Sequence, residues 1–165
     1  MKVDITGFEA VNKMFADMER DLQGAVNAAL FDGAKIAADE VKRGLEALPV
    51  QEDKNGNAPF VPPGGTPLRG ITSTQKQDLI ESMGIASFKT DSKGTNTSIG
   101  FNGYGRSTWK GGQPLPNQVL MREVESGTSW MQKHPVIRQA MNRTKERIKA
   151  EMSKTFKEKE NIDNG

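Results

Sequence analysis

The chain has 165 residues, a length suited to one domain, with 35% hydrophobic residues, 6% aromatic residues and a formal net charge of +2. It has no cysteine, which excludes disulfides, thiolate metal sites and thiol catalysis. A charge this near zero excludes a strongly basic nucleic-acid binder, and no run approaches the ~18 apolar residues of a membrane span.

Low apolar content points to a modest core with long exposed segments, or to surfaces completed by a partner. Residues 1–47 hold nine acidic and six basic side chains, whereas residues 141–160 hold seven basic and four acidic. Ends of opposite sign suit head-to-tail contacts between identical subunits, and solvated helix faces account for the same counts. Asp4 stands where a signal peptide needs an apolar run, so the expectation is a soluble protein made in a cytoplasm.

Val3 and Ile5 alternate with polar residues, as in a short strand or arm. Thr6 and Glu9 have capping-box spacing. A first helix follows, with Phe8, Val11, Met14, Phe15, Met18 and Leu22 on one stripe. A second, alanine-rich helix is predicted over residues 22–48, with Gly24 and Asp32-Gly33 as points of bending or breakage. Pro49 stops it.

Residues 49–74 hold five of the eight prolines and no periodicity. A segment of this kind is either a surface loop or an arm that orders against a neighbour, and Phe60 and Val61 form its apolar knot. Residues 77–82 suggest a short helical turn. Residues 83–88 and 97–101 read as two strands of a hairpin, joined through a turn at Asp91-Ser92-Lys93-Gly94. Residues 103–116 read as a second glycine-rich loop holding Tyr104 and Trp109. Asn117 is placed to cap a short helix, Gly127 to end it in the left-handed conformation, and Pro135 to open the last helix. That helix carries Ile137, Met141, Ile148, Met152 and Phe156 on one side, and residues 157–165 form a polar, flexible tail. The fold class predicted is α+β: two N-terminal helices and a long C-terminal helix on a small antiparallel sheet, one domain over residues 1–156.

Candidate chemistry is thin. His134 is the only histidine, has no carboxylates at metal-ligand spacing and no nucleophile elbow, and precedes Pro135 as a boundary residue. Asp78 with Glu81, and Glu123 with Glu125, are carboxylate pairs without apolar bracketing, which reads as solvated charge. Residues 63–67 are glycine-rich but lack the lysine of a phosphate loop. The basic last helix interleaves Glu146, Glu151 and Glu158, as a salt-bridged solvent face does. No catalytic, cofactor or metal site is assigned, and the chain is not expected to be an enzyme.

The order of elements resembles the tail-completion, or head–tail joining, family of long-tailed bacteriophages, similar in type to the lambda minor tail protein Z. Gly7-Phe8-Glu9 opens the amphipathic helix and the alanine-rich helix follows. In the element before the sheet, residues 76–83, Leu79 and Ser82 match while the family's Thr-Gly and Arg positions depart. The Glu-Phe-Gly-Thr-like turn is kept as Glu125-Ser126-Gly127-Thr128, with serine for the aromatic. The start of the last helix matches as Pro135-Val136-Ile137-Arg138-Gln139-Ala140.

The resemblance spans residues 3–156. It implies a structural virion protein of the phage neck, without a cofactor: a ring, a hexamer by analogy, between head-closure and tail-terminator or tail-tube proteins. It would assemble in the host cytoplasm. Phe60, Val61, Tyr104, Trp109 and Trp130 are the candidate subunit or ring contacts. The alternative is a DNA-associated virion or packaging protein that uses the basic last helix.

Overall fold

The structure, a computed structural model, describes residues 6–92, 94–108 and 111–163, without the side chains of residues 6–12, 14, 15, 162 and 163. The expected strand at Val3 and Ile5 and the side chains of the Thr6–Glu9 capping box lie outside these residues.

One helix, α1 (Thr6–Glu46), runs unbroken where two were expected. A glycine within a helix costs about 1 kcal/mol relative to alanine, which weakens a helix without ending it. Gly24 and Gly33 are therefore tolerated, and Gly33 has a packing role. A Cβ there would lie 2.7 Å from Met152 Cγ and 3.2 Å from Ile148 Cγ2 on the last helix, α4 (Val136–Asp163). Ala25, Ala29, Ala37 and Val41 are buried and share the four-residue spacing of Gly33. This ridge of small side chains lets the two long helices approach closely.

On α4 the facing residues are Val136, Ala140 and Thr144, and Thr144 Oγ1 donates to the Ala140 carbonyl at 2.7 Å. Met141, expected on the inner stripe, is exposed, because the neighbouring Ala140 takes the position that faces the core. The helix also continues through residues 157–163, which had been assigned to a flexible tail.

Helix α2 (Ser73–Ser82) is longer than the expected turn. Its start is a complete capping box: Gln75 N donates to Thr72 Oγ1 at 3.1 Å and Thr72 N to Gln75 Oε1 at 3.1 Å. The predicted hairpin forms as two consecutive antiparallel pairs. Strand β1 (Met83–Ile85) pairs with β4 (Ile99–Phe101), and β2 (Lys89–Asp91) with β3 (Gly94–Asn96). Gly94, at φ 117°, occupies a conformation that a Cβ disfavours.

Residues 103–116, expected as a loop, contain a third antiparallel pair, β5 (Tyr104–Thr108) with β6 (Pro114–Pro116). Helix α3 (Asn117–Ser126) follows, with Pro116 at its N-cap and no side-chain cap. Asn117 is not the cap, because its side chain is buried and its Nδ2 donates instead to the Asn102 carbonyl at 2.9 Å.

The fold is α+β, with a long N-terminal and a long C-terminal helix and small antiparallel pairs in place of one sheet. The core sits where α2, α3 and the inner ends of α1 and α4 meet. Leu45, Leu79, Leu120, Val124 and Met131 are among its least exposed side chains.

Candidate assembly surface

The matched turn and helix start form one joint. Gly127 ends α3 with its N–H donating to Glu123 O at 2.7 Å. Its φ of 74° and ψ of 167° lie outside the left-handed helical region that was expected, in a region essentially confined to glycine. A Cβ there would also sit 2.8 Å from Lys133 N.

Thr128 Oγ1 accepts from Met131 N at 3.1 Å and Trp130 N at 3.3 Å. That closes the turn and drives Met131 into the core, with Trp130 half-buried against it. Trp130, a candidate contact residue, therefore packs within its own chain.

Glu125 then reaches across to α4. Its Oε2 accepts from Ile137 N at 2.9 Å and its Oε1 from Arg138 N at 3.0 Å. A carboxylate here satisfies two of the free N–H groups at the helix start and complements the helix dipole. Glu125 thus ties the end of α3 to the start of α4, a role that differs from the solvated charge expected of it. Pro135 precedes the helix and accepts from Gln139 N at 3.0 Å, while Ala140 is buried against α1. Leu79 is fully buried, and Ser82 Oγ donates to its carbonyl at 3.2 Å. Leu79, Ser82, Glu125, Gly127, Thr128, Pro135, Arg138 and Ala140 thus all make local hydrogen bonds or pack in the core.

The proline-rich segment is tied at its stem. Leu68 N donates to Trp130 O and Gln132 N to Leu68 O, both at 2.8 Å, while Gln51 N donates to Ile71 O at 2.9 Å. His134 Nε2 lies 2.7 Å from the Arg69 carbonyl, so the lone histidine links the stem to the joint. Within the segment, Asp53 accepts from Asn57 N and Asn55 N, and these two bonds hold its pKa below the ordinary carboxylate range. Beyond this turn, Phe60 is 78% exposed and Val61 half-buried. Tyr104, at the start of β5, is 69% exposed. Trp109 lies outside the described residues.

Next to Tyr104 along β5, Gly105 and Arg106 lie against the buried Asp78. Asp78 accepts from Arg106 N at 2.8 Å and Arg106 Nε at 2.7 Å, which anchors β5 to α2. The same carboxylate raises the Arg106 pKa further above its ordinary value. Gly105 permits the contact, since a Cβ there would lie 2.5 Å from Asp78 Oδ2. Asp78 was read as solvated charge. Its burial comes from β5 lying over α2, a contact between residues 28 apart in the chain.

The basic residues of α4 are interleaved with acids, as expected: Lys149 pairs with Glu146 at 3.4 Å and Lys154 with Glu151 at 3.6 Å, each three residues apart. Among the described residues no group of three or more metal-ligating side chains occurs, and no helix is long and apolar enough to cross a membrane.

The fold is an α+β unit in which Glu125 ties α3 to the start of α4 and Phe60 and Tyr104 stand exposed. Compared with protein-family models, curated proteins and solved structures, the chain matches none.

Proposed function

We propose that this chain is a structural subunit of the neck of a long-tailed bacteriophage, forming a ring that completes the tail and joins it to the DNA-filled head. The reading starts from the resemblance carried by the order of elements and by residues 125–128 and 135–140. The observation that supports it is the placement of large apolar side chains on parts that project from a completed core. Phe60 is 78% exposed, Tyr104 69%, Met18 59% and Leu22 54%. Exposed apolar surface of this kind is what subunit contacts cover. Partners are further copies of the chain and the ring proteins above and below it. Genomic DNA would pass through the lumen without sequence readout.

The test is native mass measurement of the purified chain with its neck partners, together with imaging of the virion neck. A closed ring of one mass, and density for this chain between head and tail, are the expected results. Absence of the chain from the neck overturns the reading.

A further inference from the structure

The proline-rich segment is a closed loop with a defined frame. Its two ends are held together: Ile71 N donates to Pro49 O at 3.1 Å, Gln51 N to Ile71 O at 2.9 Å and Arg69 N to Gln51 Oε1 at 2.7 Å. Glu52 Oε2 accepts from Ser73 N and Ser73 Oγ, both at 2.8 Å, which ties the loop to the start of α2. Gly70 permits the closure, since a Cβ there would collide with the Pro49 carbonyl.

Two turns sit beyond this stem. In the first, Asp53 Oδ1 accepts from Asn55 N and Asn57 N, and Asp53 N donates to Asn57 O at 2.8 Å. In the second, Gly65 N donates to Pro62 O at 2.8 Å. Pro63 and Gly64, the latter at φ 75°, take its central positions, as in a type II turn. Residues 58–61 lie between the turns. Proline fixes its own φ near −65° and restricts the residue before it to extended conformations. In Ala58-Pro59-Phe60-Val61-Pro62-Pro63, every residue except Phe60 is a proline or precedes one. The stretch is stiff, yet no backbone group of residues 58–61 has a hydrogen-bond partner among the described residues. Phe60 stands on this frame 78% exposed. A large side chain held in water by a stiff backbone loses little freedom on binding, as an interface anchor requires.

The chemistry of the tip selects its partner. From Asn55 to Leu68 no side chain is charged, in a chain that is 27% charged, which excludes nucleic acid and other partners gathered by charge. The tip offers an aromatic ring, open carbonyls, and prolines at 59 and 62, one polyproline turn apart. That set fits a groove lined by aromatic side chains that also donate hydrogen bonds, tryptophan and tyrosine above all. This chain has two tryptophans and one tyrosine, and Trp130 packs against its own core, so a second copy is poorly supplied for such a groove.

We infer that residues 58–63 are a preformed docking segment, with Phe60 as its anchor, for an aromatic-lined groove on a different protein. The contact deepens the neck reading and rests on it for the partner's identity, one of the ring proteins above or below.

The first measurement needs no partner. Hydrogen exchange on the chain alone is expected to show the Asn57 and Gly65 amides protected at least tenfold over the unfolded rate, and exchange at the unfolded rate overturns the preformed loop. In the second, the purified head-closure and tail-terminator proteins of the same phage are each titrated into the chain. One is expected to bind, and Phe60→Ala, checked for native circular dichroism, is expected to weaken that binding at least tenfold. Asp53→Ala, which frees the first turn from outside the docking segment, is expected to weaken it less and to remove the protection at Asn57. Benzoylphenylalanine in place of the exposed Ala58 is expected to photo-link the chain to the bound protein. Binding unchanged by Phe60→Ala overturns the docking segment and leaves the neck reading intact. Links from residue 58 only to further copies of the chain overturn it in favour of a self-contact. Binding to neither protein overturns both.

Discussion

Removing the Glu125 carboxylate is the sharpest probe of the joint. In Glu125→Ala, the Ile137 and Arg138 N–H groups lose acceptors at 2.9 and 3.0 Å. Loss of a helix cap costs about 1 kcal/mol, and a hydrogen bond to a charged group about 1.5–3 kcal/mol. The site is half-buried, so water replaces part of what is lost, and the expected cost is about 2 kcal/mol. For a chain of this size each kcal/mol lowers Tm by about 2–4 °C, so the variant should melt about 4–8 °C lower. Glu125→Gln keeps one acceptor and should fall between the two. Urea unfolding with a shared slope gives the free energies directly. A Glu125→Ala variant within ~0.5 kcal/mol of the parent, the range of an ordinary surface change, would refute the reasoning.

Three further outcomes follow from the packing. Gly24→Ala, where an added Cβ meets nothing within 4 Å, should stabilise the chain by up to about 1 kcal/mol. Gly44→Ala, whose Cβ would lie 2.6 Å from the stiff Val136 Cγ1, should destabilise it by about 1–3 kcal/mol, and thermal melts of the two variants should move in opposite directions. Asp78→Ala strands the Arg106 backbone N–H and should cost about 2–3 kcal/mol, with faster amide exchange at β5 than elsewhere in the chain. Burial raises the Glu123 pKa, opposed by Arg122, so its protonated form is favoured by folding. Its contribution is present below the ordinary carboxylate value of 4.5 and is lost as pH rises through the raised value. Glu123→Gln should therefore be slightly more stable than the parent near neutral pH, with the gap closing below about pH 4.5 in a pH series of melts.

Much of this architecture was legible in the sequence because it is local. Gly94 and the alternation around it announced the hairpin, and Pro135 and Gly127 bracketed the joint. The alanine content of α1 permits close packing but does not give its continuity, because Gly24 and Gly33 have the look of breakers and only the packing of α4 above Gly33 accounts for the latter. The Thr72–Gln75 box has capping-box spacing, but it sits at the end of a proline-rich stretch without periodicity, which masks the signal. The roles of Asp78 and Glu125 were not readable, since their partners lie 28 and 12–13 residues away and depend on tertiary contact. For the candidate surface, Phe60 and Tyr104 stand exposed, while Trp130 is drawn in by the Thr128 turn.

The proposal that this chain completes a tail and joins it to a head is tested most directly by a nonsense mutation in its gene in a phage that carries it. Electron microscopy of the lysate should show DNA-filled heads and separate tails that do not join, with joining restored by adding the purified chain. Normally joined, infectious particles made without the chain would contradict the account.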